Sequence, residues 1–338
     1  MMRSMLRRRL GRLLLGGLAV LVAVWGLLGW FDLDSQAEAG FQTDSNQRVM
    51  GVDKDSPAET AGLQMGDRVL EISGIDAADK AALASLPRAK AGDSRAFKVQ
   101  RDGEERDISI VYAPLSHDMI KRQRVAMAVG FCFLLFPFLA LFQRGNEASR
   151  TPKRILALMG TGLSLTLLEG PFIVYTGARA IAASATSLLV LLGMAALVHF
   201  LMCFPRRRAV LDKRYGWTVV YLPAVVLWQL VAWRLIFMPA PSSALDSFHG
   251  LLTGVVEGGY FLVGLFLLLH NYSRTNRSER KSLGLNFMLW GTVVGLLPAT
   301  IAQLATMFSP QAALPGQAYY FVSLVLIPIS WARSASRA

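Results

Sequence analysis

The sequence predicts an α-helical polytopic membrane protein of about eight transmembrane helices, interrupted after the first by an extracytoplasmic α+β domain. Three observations carry this. Hydrophobic residues make up 53% of the 338 and charged residues only 17%, with a mean hydropathy of +0.41; a soluble domain has about a quarter of its residues charged. Apolar runs of spanning length recur along the chain, separated by short basic loops. One polar segment, residues 32–120, breaks that rhythm, and its centre at 49–74 reads as strand, short helix and strand.

Residues 1–31 form a basic cytoplasmic N-terminus and a first transmembrane helix. Arg3, Arg7, Arg8, Arg9 and Arg12 precede an apolar run from Leu13 to Phe31. A cleaved leader is the alternative, with Ala37 and Ala39 as small residues near a cleavage position. The run is long enough to span, since a bilayer needs roughly 20 residues, and the reading adopted is a retained anchor. The arginines stay in the cytoplasm, so Asp32 onward crosses the membrane.

In the segment 32–120, Val49, Met50 and Val52 read as a strand. Ser56-Pro57-Ala58-Glu59 reads as a helix start: Ser56 caps, Pro57 sits where a missing N–H costs nothing, and Glu59 completes the box. Gly62 ends that helix, Gly66-Asp67 turns into a strand over Arg68–Ile72, and Ser73-Gly74 turns again. Residues 77–86 predict a second helix stopped by Pro87; 96–101 and 107–112 predict a hairpin across Asp102-Gly103.

The run SPAETAGLQMGDRVLEISG resembles the centre of a bacterial PDZ domain, and the resemblance extends loosely over about 37–114. It implies a groove that takes an extended peptide as an added strand. Ala39-Gly40-Phe41 stands where such domains carry a carboxylate-binding loop, with Ala39 smaller than the usual apolar residue. By the resemblance, Gly40, Phe41, Gln42 and Thr43 supply the loop and groove strand, and Leu83 on the facing helix lines the side-chain pocket. The implied partner is an extracytoplasmic peptide or protein terminus.

Residues 121–338 predict a bundle of about seven further transmembrane helices, at about 125–142, 155–175, 181–204, 217–238, 248–270, 283–308 and 317–331. Arg144, Arg150, Lys153 and Arg154 share one loop; Arg206, Arg207, Arg208, Lys213 and Arg214 another; Arg274, Arg277, Arg280 and Lys281 a third. Arg333 and Arg337 close the chain, and the alternate loops are nearly free of basic residues. This alternation places both termini in the cytoplasm of a bacterial inner membrane and the inserted domain outside it. Lys121, Arg122 and Arg124 are exceptions at the junction of a long translocated segment. The net charge of +12 therefore reports topology rather than nucleic-acid binding.

Among groups in the apolar runs, Glu169, Arg234 and Glu257 stand out, because charge in hydrocarbon is costly and faces protein or water. A Glu169–Arg234 pair is expected to be within reach, and a structural role competes with ligand binding or gating for all three. His199 reads as a helix-packing donor. Cys132 and Cys203 lie in apolar runs and suggest neither a disulfide framework nor a metal site. No cofactor, metal or catalytic residue is expected: none of the four histidines sits in His-Glu-x-x-His.

His199, Phe200, Phe204 and Pro205, with Pro328, Ser330, Trp331 and Ala332, resemble two short stretches in the multispanning input region of bacterial competence-type sensor histidine kinases. That resemblance implies signal transduction of the two-component kind with a separate cytoplasmic kinase or other effector, since no kinase part is present in these residues. The function expected is a non-catalytic signal-sensing or signal-relay protein, with a homodimer left open. A transporter or accessory subunit, or a periplasm-facing assembly scaffold, is the alternative.

Overall fold

The computed structural model describes residues 2–44, 46–143, 147–238, 243–308 and 317–337. Arg144 of the first basic loop lies outside the described residues. Helix α1 (Met2–Asp32) leads into an inserted domain of eight strands and two short helices. These are β1 (Ala37–Glu38), β2 (Phe41–Thr43), β3 (Val49–Val52), α2 (Pro57–Thr60), β4 (Arg68–Ile72), β5 (Ile75–Asp76), α3 (Lys80–Ser85), β6 (Ser94–Arg101), β7 (Glu104–Val111) and β8 (Ala113–Pro114). The helical body follows: α4 (His117–Phe142), α5 (Glu147–Ser164), α6 (Thr176–Cys203), α7 (Gly216–Phe237), α8 (Ser243–Arg274), α9 (Arg277–Ser282), α10 (Leu285–Phe308), a 3₁₀ turn over Gln317–Val325, and α11 (Leu326–Arg337).

Among the described residues, five helices are long and apolar enough to cross a membrane: α1, α4, α6, α7 and α8, with a shorter apolar helix at Leu285–Ile301. This is fewer than the eight expected, and two of the differences have local causes. The run expected at 155–175 stays helical only to Ser164. Residues 165–175 form turns and then an extended connector, and Gly170-Pro171, which removes a donor and disfavours helix at Gly170, keeps the helix from resuming there. The run expected at 317–331 divides into the 3₁₀ turn and α11, where Pro328 falls in the first turn and its missing N–H costs no intrahelical bond.

The inserted domain folds around Val49, Ala58, Leu63, Val69, Phe97, Val99 and Ile110. Its main sheet has the order β5-β4-β6-β7, and β2 pairs antiparallel with β3 as a separate ribbon. Strands β1 and β8 pair at the two ends of the domain and form its stalk. The larger core of the helical body joins α5, α6, α7, α8, α10 and α11 through Leu156, Met159, Ala195, Leu227, Leu268 and Trp331. A second, smaller core packs α1 on α4 and on Leu168 of the connector.

The two short stretches around Phe200 and Trp331 meet at the end of the body away from the inserted domain. Phe200 stacks on Phe204 at 5.3 Å and against Trp331 at 5.4 Å. The indole N–H of Trp331 donates to Thr292 Oγ1 at 2.8 Å. Asn271 closes the cluster by donating to the carbonyls of Leu201 (2.7 Å) and Phe204 (2.8 Å). Trp331→Ala is expected to cost about 3–5 kcal/mol, the usual loss for an emptied aromatic core site. A fall in the thermal midpoint of the detergent-purified protein checks it; an unchanged midpoint would show that this cluster carries little stability.

Candidate peptide-binding site

The site begins at α2. Ser56 accepts from the Glu59 N–H at 3.2 Å, and Pro57 occupies the first turn. The Glu59 carboxylate reaches back to the Asp55 N–H at 2.6 Å, one residue before the cap, so the capping box is shifted by one. This helix start cradles the Ala39-Gly40-Phe41 loop. The Ala58 N–H donates to Ala39 O at 2.9 Å, the Asp53 N–H to Gly40 O at 2.8 Å, and Ser56 Oγ to Gly40 O at 3.3 Å. Gly40 has φ of +75°, and a Cβ there would overlap the Ser56 side chain, so both conformation and space require glycine.

From that loop β2 runs antiparallel to β3, with Phe41 opposite Val52 and Gln42 opposite Gly51. Among the described residues β2 has no strand on its other edge. The Phe41 ring turns inward and meets Phe97 edge-on at 5.7 Å, while Gln42 and Thr43 are exposed. Leu83 is half-buried and lies outside the domain core. The helix that carries it, α3, is shorter than the expected 77–86. Ala77 instead closes the β4–β5 hairpin through its N–H to Leu70 O at 2.7 Å, and Asp79 caps the helix on the Ala82 N–H at 2.9 Å.

The domain is braced by an ion pair whose carboxylate is buried. Asp67 is 1% exposed and takes both Arg101 Nε and Nη2 at 2.7 Å, plus the Gln64 N–H at 2.9 Å. The hydrogen-bonded Arg101 guanidinium holds the Asp67 carboxyl below its usual range, against the opposing effect of burial. The Asp67 partner raises Arg101 in turn.

The exit of α3 is hooked to the helical body, a feature no sequence signal announced. Thr176 Oγ1 donates to Ala84 O at 2.8 Å, and the Arg88 N–H to Val174 O at 3.2 Å. The guanidinium of Arg88 lies 5.0 Å from the Phe172 ring centre and the Lys90 ammonium 5.7 Å. The Phe172 N–H donates to Asp32 at the end of α1, at 3.0 Å. The connector 165–175 thus ties α3 to α1 and α6. Arg124, an exception to the basic-loop alternation at this junction, pairs with Asp34 at 3.1 Å and lies over Trp30.

The remaining candidate residues separate. Glu169 and Arg234 do not form the expected pair: exposed Glu169 accepts from Gln123 at 3.2 Å. Arg234 instead lines a cavity of about 460 Å³ together with Glu257 and His249. His199 contacts the Tyr221 hydroxyl through Nδ1 at 3.1 Å, with the rings edge-on, which joins α6 to α7. No group of three or more His, Cys, Asp or Glu that could hold a metal occurs among the described residues.

Residues 48–101 match the family model of a PDZ domain. The inserted domain is PDZ-like. The general role of a PDZ domain is to bind peptides or proteins. No curated protein matches the chain. Among solved structures, a serine-to-alanine form of the HtrA-type protease AlgW with decapeptide is 20% identical, over 24% of this chain and 30% of that one, with a TM-score of 0.21. The AlgW protease with decapeptide is 22% identical, over 25% of this chain and 29% of that one, with a TM-score of 0.20. This chain therefore spans under a third of the length of those structures. The expected resemblance to sensor histidine kinases is corrected: what matches is a PDZ domain and, weakly, HtrA-type proteases. The short stretches around Phe200 and Trp331 suggested that family, but they are a packing cluster.

Proposed function

We propose that the protein is a non-catalytic, membrane-embedded receptor or scaffold whose PDZ-like domain captures an extended peptide or protein terminus outside the cytoplasm. The observation that carries this reading is the edge of β2, which no strand among the described residues pairs, beside the Gly40 loop. An extended peptide added there completes a ladder of backbone hydrogen bonds, and its carboxylate meets the loop amides. Membrane placement is supported by the five long apolar helices and by the gathering of Arg206, Arg207, Arg208, Arg274, Arg277 and Arg280 at the end away from the domain.

The hook between α3 and residues 172–176 gives groove occupancy a path to α1 and α6. A peptide that favours one setting of α3 then biases the helices in proportion to its differential affinity. A cytoplasmic effector would read that bias at the basic end.

The test is a titration of the purified full chain in nanodiscs with fluorescent peptides ending in a free carboxylate or in its amide. The amide is expected to bind at least about tenfold more weakly, since a hydrogen bond to a charged group contributes about 1.5–3 kcal/mol. Leu83→Asp is expected to weaken the free-carboxylate peptide by a similar factor. Equal binding of the two ends, or no binding, would overturn the reading.

A further inference from the structure

A groove of about 410 Å³ runs between α6, α7 and α8 at the basic end of the body. Val198 and Met202 come from the last two turns of α6, Val219 and Pro223 from the first two turns of α7, and Val255 and Val263 from α8. Its walls face outward: Val219 is 70% exposed and Val255 63%, so no described part of the chain covers them. The lining carries no charged side chain. Its one hydroxyl, on Tyr260, is already engaged, donating to Val220 O at 2.7 Å and accepting from the Ala224 N–H at 3.1 Å. A polar ligand buried there would lose its water partners and gain none, which is costly; a hydrocarbon chain has none to lose.

One end of the groove is charged. Val210, in the 3₁₀ turn Ala209–Asp212, and Gly216, at the start of α7, both line it, and the chain between them exposes Lys213 and Arg214. A Cβ on Gly216 would overlap Val210 O, so the turn closes tightly and holds this stretch at the rim. Neighbouring cations are already engaged: Arg206 with Glu279, Arg207 with Asp212 and Arg208 with Asn271. Lys213 and Arg214 have no acidic partner among the described residues, and the Arg214 guanidinium lies 5.4 Å from the Tyr215 ring centre. Tyr215 and Trp217 beside them are exposed, aromatic side chains of the kind that sit at headgroup level.

We propose that this groove holds an acyl chain of an anionic phospholipid, whose phosphate sits on Lys213 and Arg214. The two cations select the class. A headgroup of net negative charge complements them, whereas a choline or ethanolamine ammonium would be set against them. The site rests on the membrane placement proposed above and is independent of peptide capture by the PDZ-like domain. A lipid seated there bridges α6, α7 and α8 at the basic end.

Lipid retention tests it. The full chain is reconstituted in nanodiscs of equimolar dioleoyl phosphatidylglycerol and dioleoyl phosphatidylcholine, moved to mild detergent and weighed by native mass spectrometry. Phosphatidylglycerol is expected to be retained in preference, by about fivefold for each of the two cations. Replacing both, Lys213→Gln with Arg214→Gln, is expected to abolish that preference in a protein that stays monodisperse. Gly259→Leu puts a side chain into the groove where nothing lies within 4 Å of a Cβ, and is expected to lose most of the retained phosphatidylglycerol. Gly254→Leu, equally open on α8 but away from the lining, is the control and is expected to retain it. Excess inorganic phosphate is expected to leave the lipid in place, because the acyl chain also holds it. Equal retention of the two lipids, a preference that survives the double substitution, or equal behaviour of the two glycine variants would overturn the proposal. So would release by inorganic phosphate, or a lipid-free dimer in which a second copy covers the groove. A chain that purifies from cells without membrane or detergent would overturn the membrane placement first, and the lipid site with it.

Discussion

Asp67→Ala is expected to unfold the inserted domain and leave the helical body assembled. Asp67 is almost completely enclosed, and its two oxygens take three hydrogen bonds, two from Arg101 and one from the Gln64 N–H. Arg101 also donates to Gly62 O at 2.7 Å, which fixes the turn between α2 and β4. Removing the carboxylate leaves a half-buried guanidinium without its counterion; breaking a fully buried pair costs about 3–5 kcal/mol, and this partly exposed one is expected to cost less. A small domain has about 5–15 kcal/mol in all. Limited proteolysis of the full chain would show this as cleavage confined to residues 37–114. A domain that stays protease-resistant in the variant would refute it.

The same pair sets an acid limit. The Asp67 carboxyl is depressed in the folded domain, so its contribution is complete above the ordinary carboxylate pKa near 4. That contribution is lost as the pH falls through the lower folded value. The unaltered domain is therefore expected to lose stability on acidification below about pH 4. An Asp67→Asn variant should be less stable at neutral pH and flatter across that window. Proteolysis rates measured with an acid-active protease check the slope; identical slopes for the two proteins would contradict it.

Gly162→Val is expected to have a large effect within the helical body. Gly162 on α5 and Gly193 on α6 meet backbone to backbone: a Cβ on Gly162 would overlap Leu189 O and come within 2.6 Å of the Gly193 Cα. A Cβ on Gly193 would lie 2.8 Å from the Gly162 Cα. Because the obstructing atoms are backbone, no rotamer change relieves them, and small residues at such crossings let helices approach closely. Overpacking costs about 1–3 kcal/mol even where side chains yield; here the upper end or more is expected. The check is the loss of a monodisperse peak in detergent and a lowered thermal midpoint. Gly17→Val is the control, since nothing lies within 4 Å of a Cβ there. Similar behaviour of both variants would show that the α5–α6 contact is not special.

Much of the inserted domain was legible because local chemistry specified it. The capping box at Ser56, the glycine turns and the Asp102-Gly103 hairpin act within a few residues. The Gly40 loop was legible only by analogy, yet its glycine has a plain cause in the Ser56 side chain packed against it. The helical body was less legible. Hydropathy marked the apolar runs, but it could not register that α5 ends early at Ser164, nor that Glu169 turns to Gln123 instead of Arg234. The hook at Ala84 and Arg88 and the pairing of His249 with the Arg234–Glu257 cavity join residues far apart in sequence. No period or spacing encodes such contacts.

The measurement that bears most directly on the proposed receptor is amide hydrogen exchange on the full chain in nanodiscs, with and without a saturating peptide that ends in a free carboxylate. Protection is expected at Phe41–Thr43, where the peptide adds to the free strand edge, together with altered exchange at 172–176, where α3 is hooked to the body. Peptide binding that leaves both segments unchanged would contradict the placement of the site and its coupling to the helices.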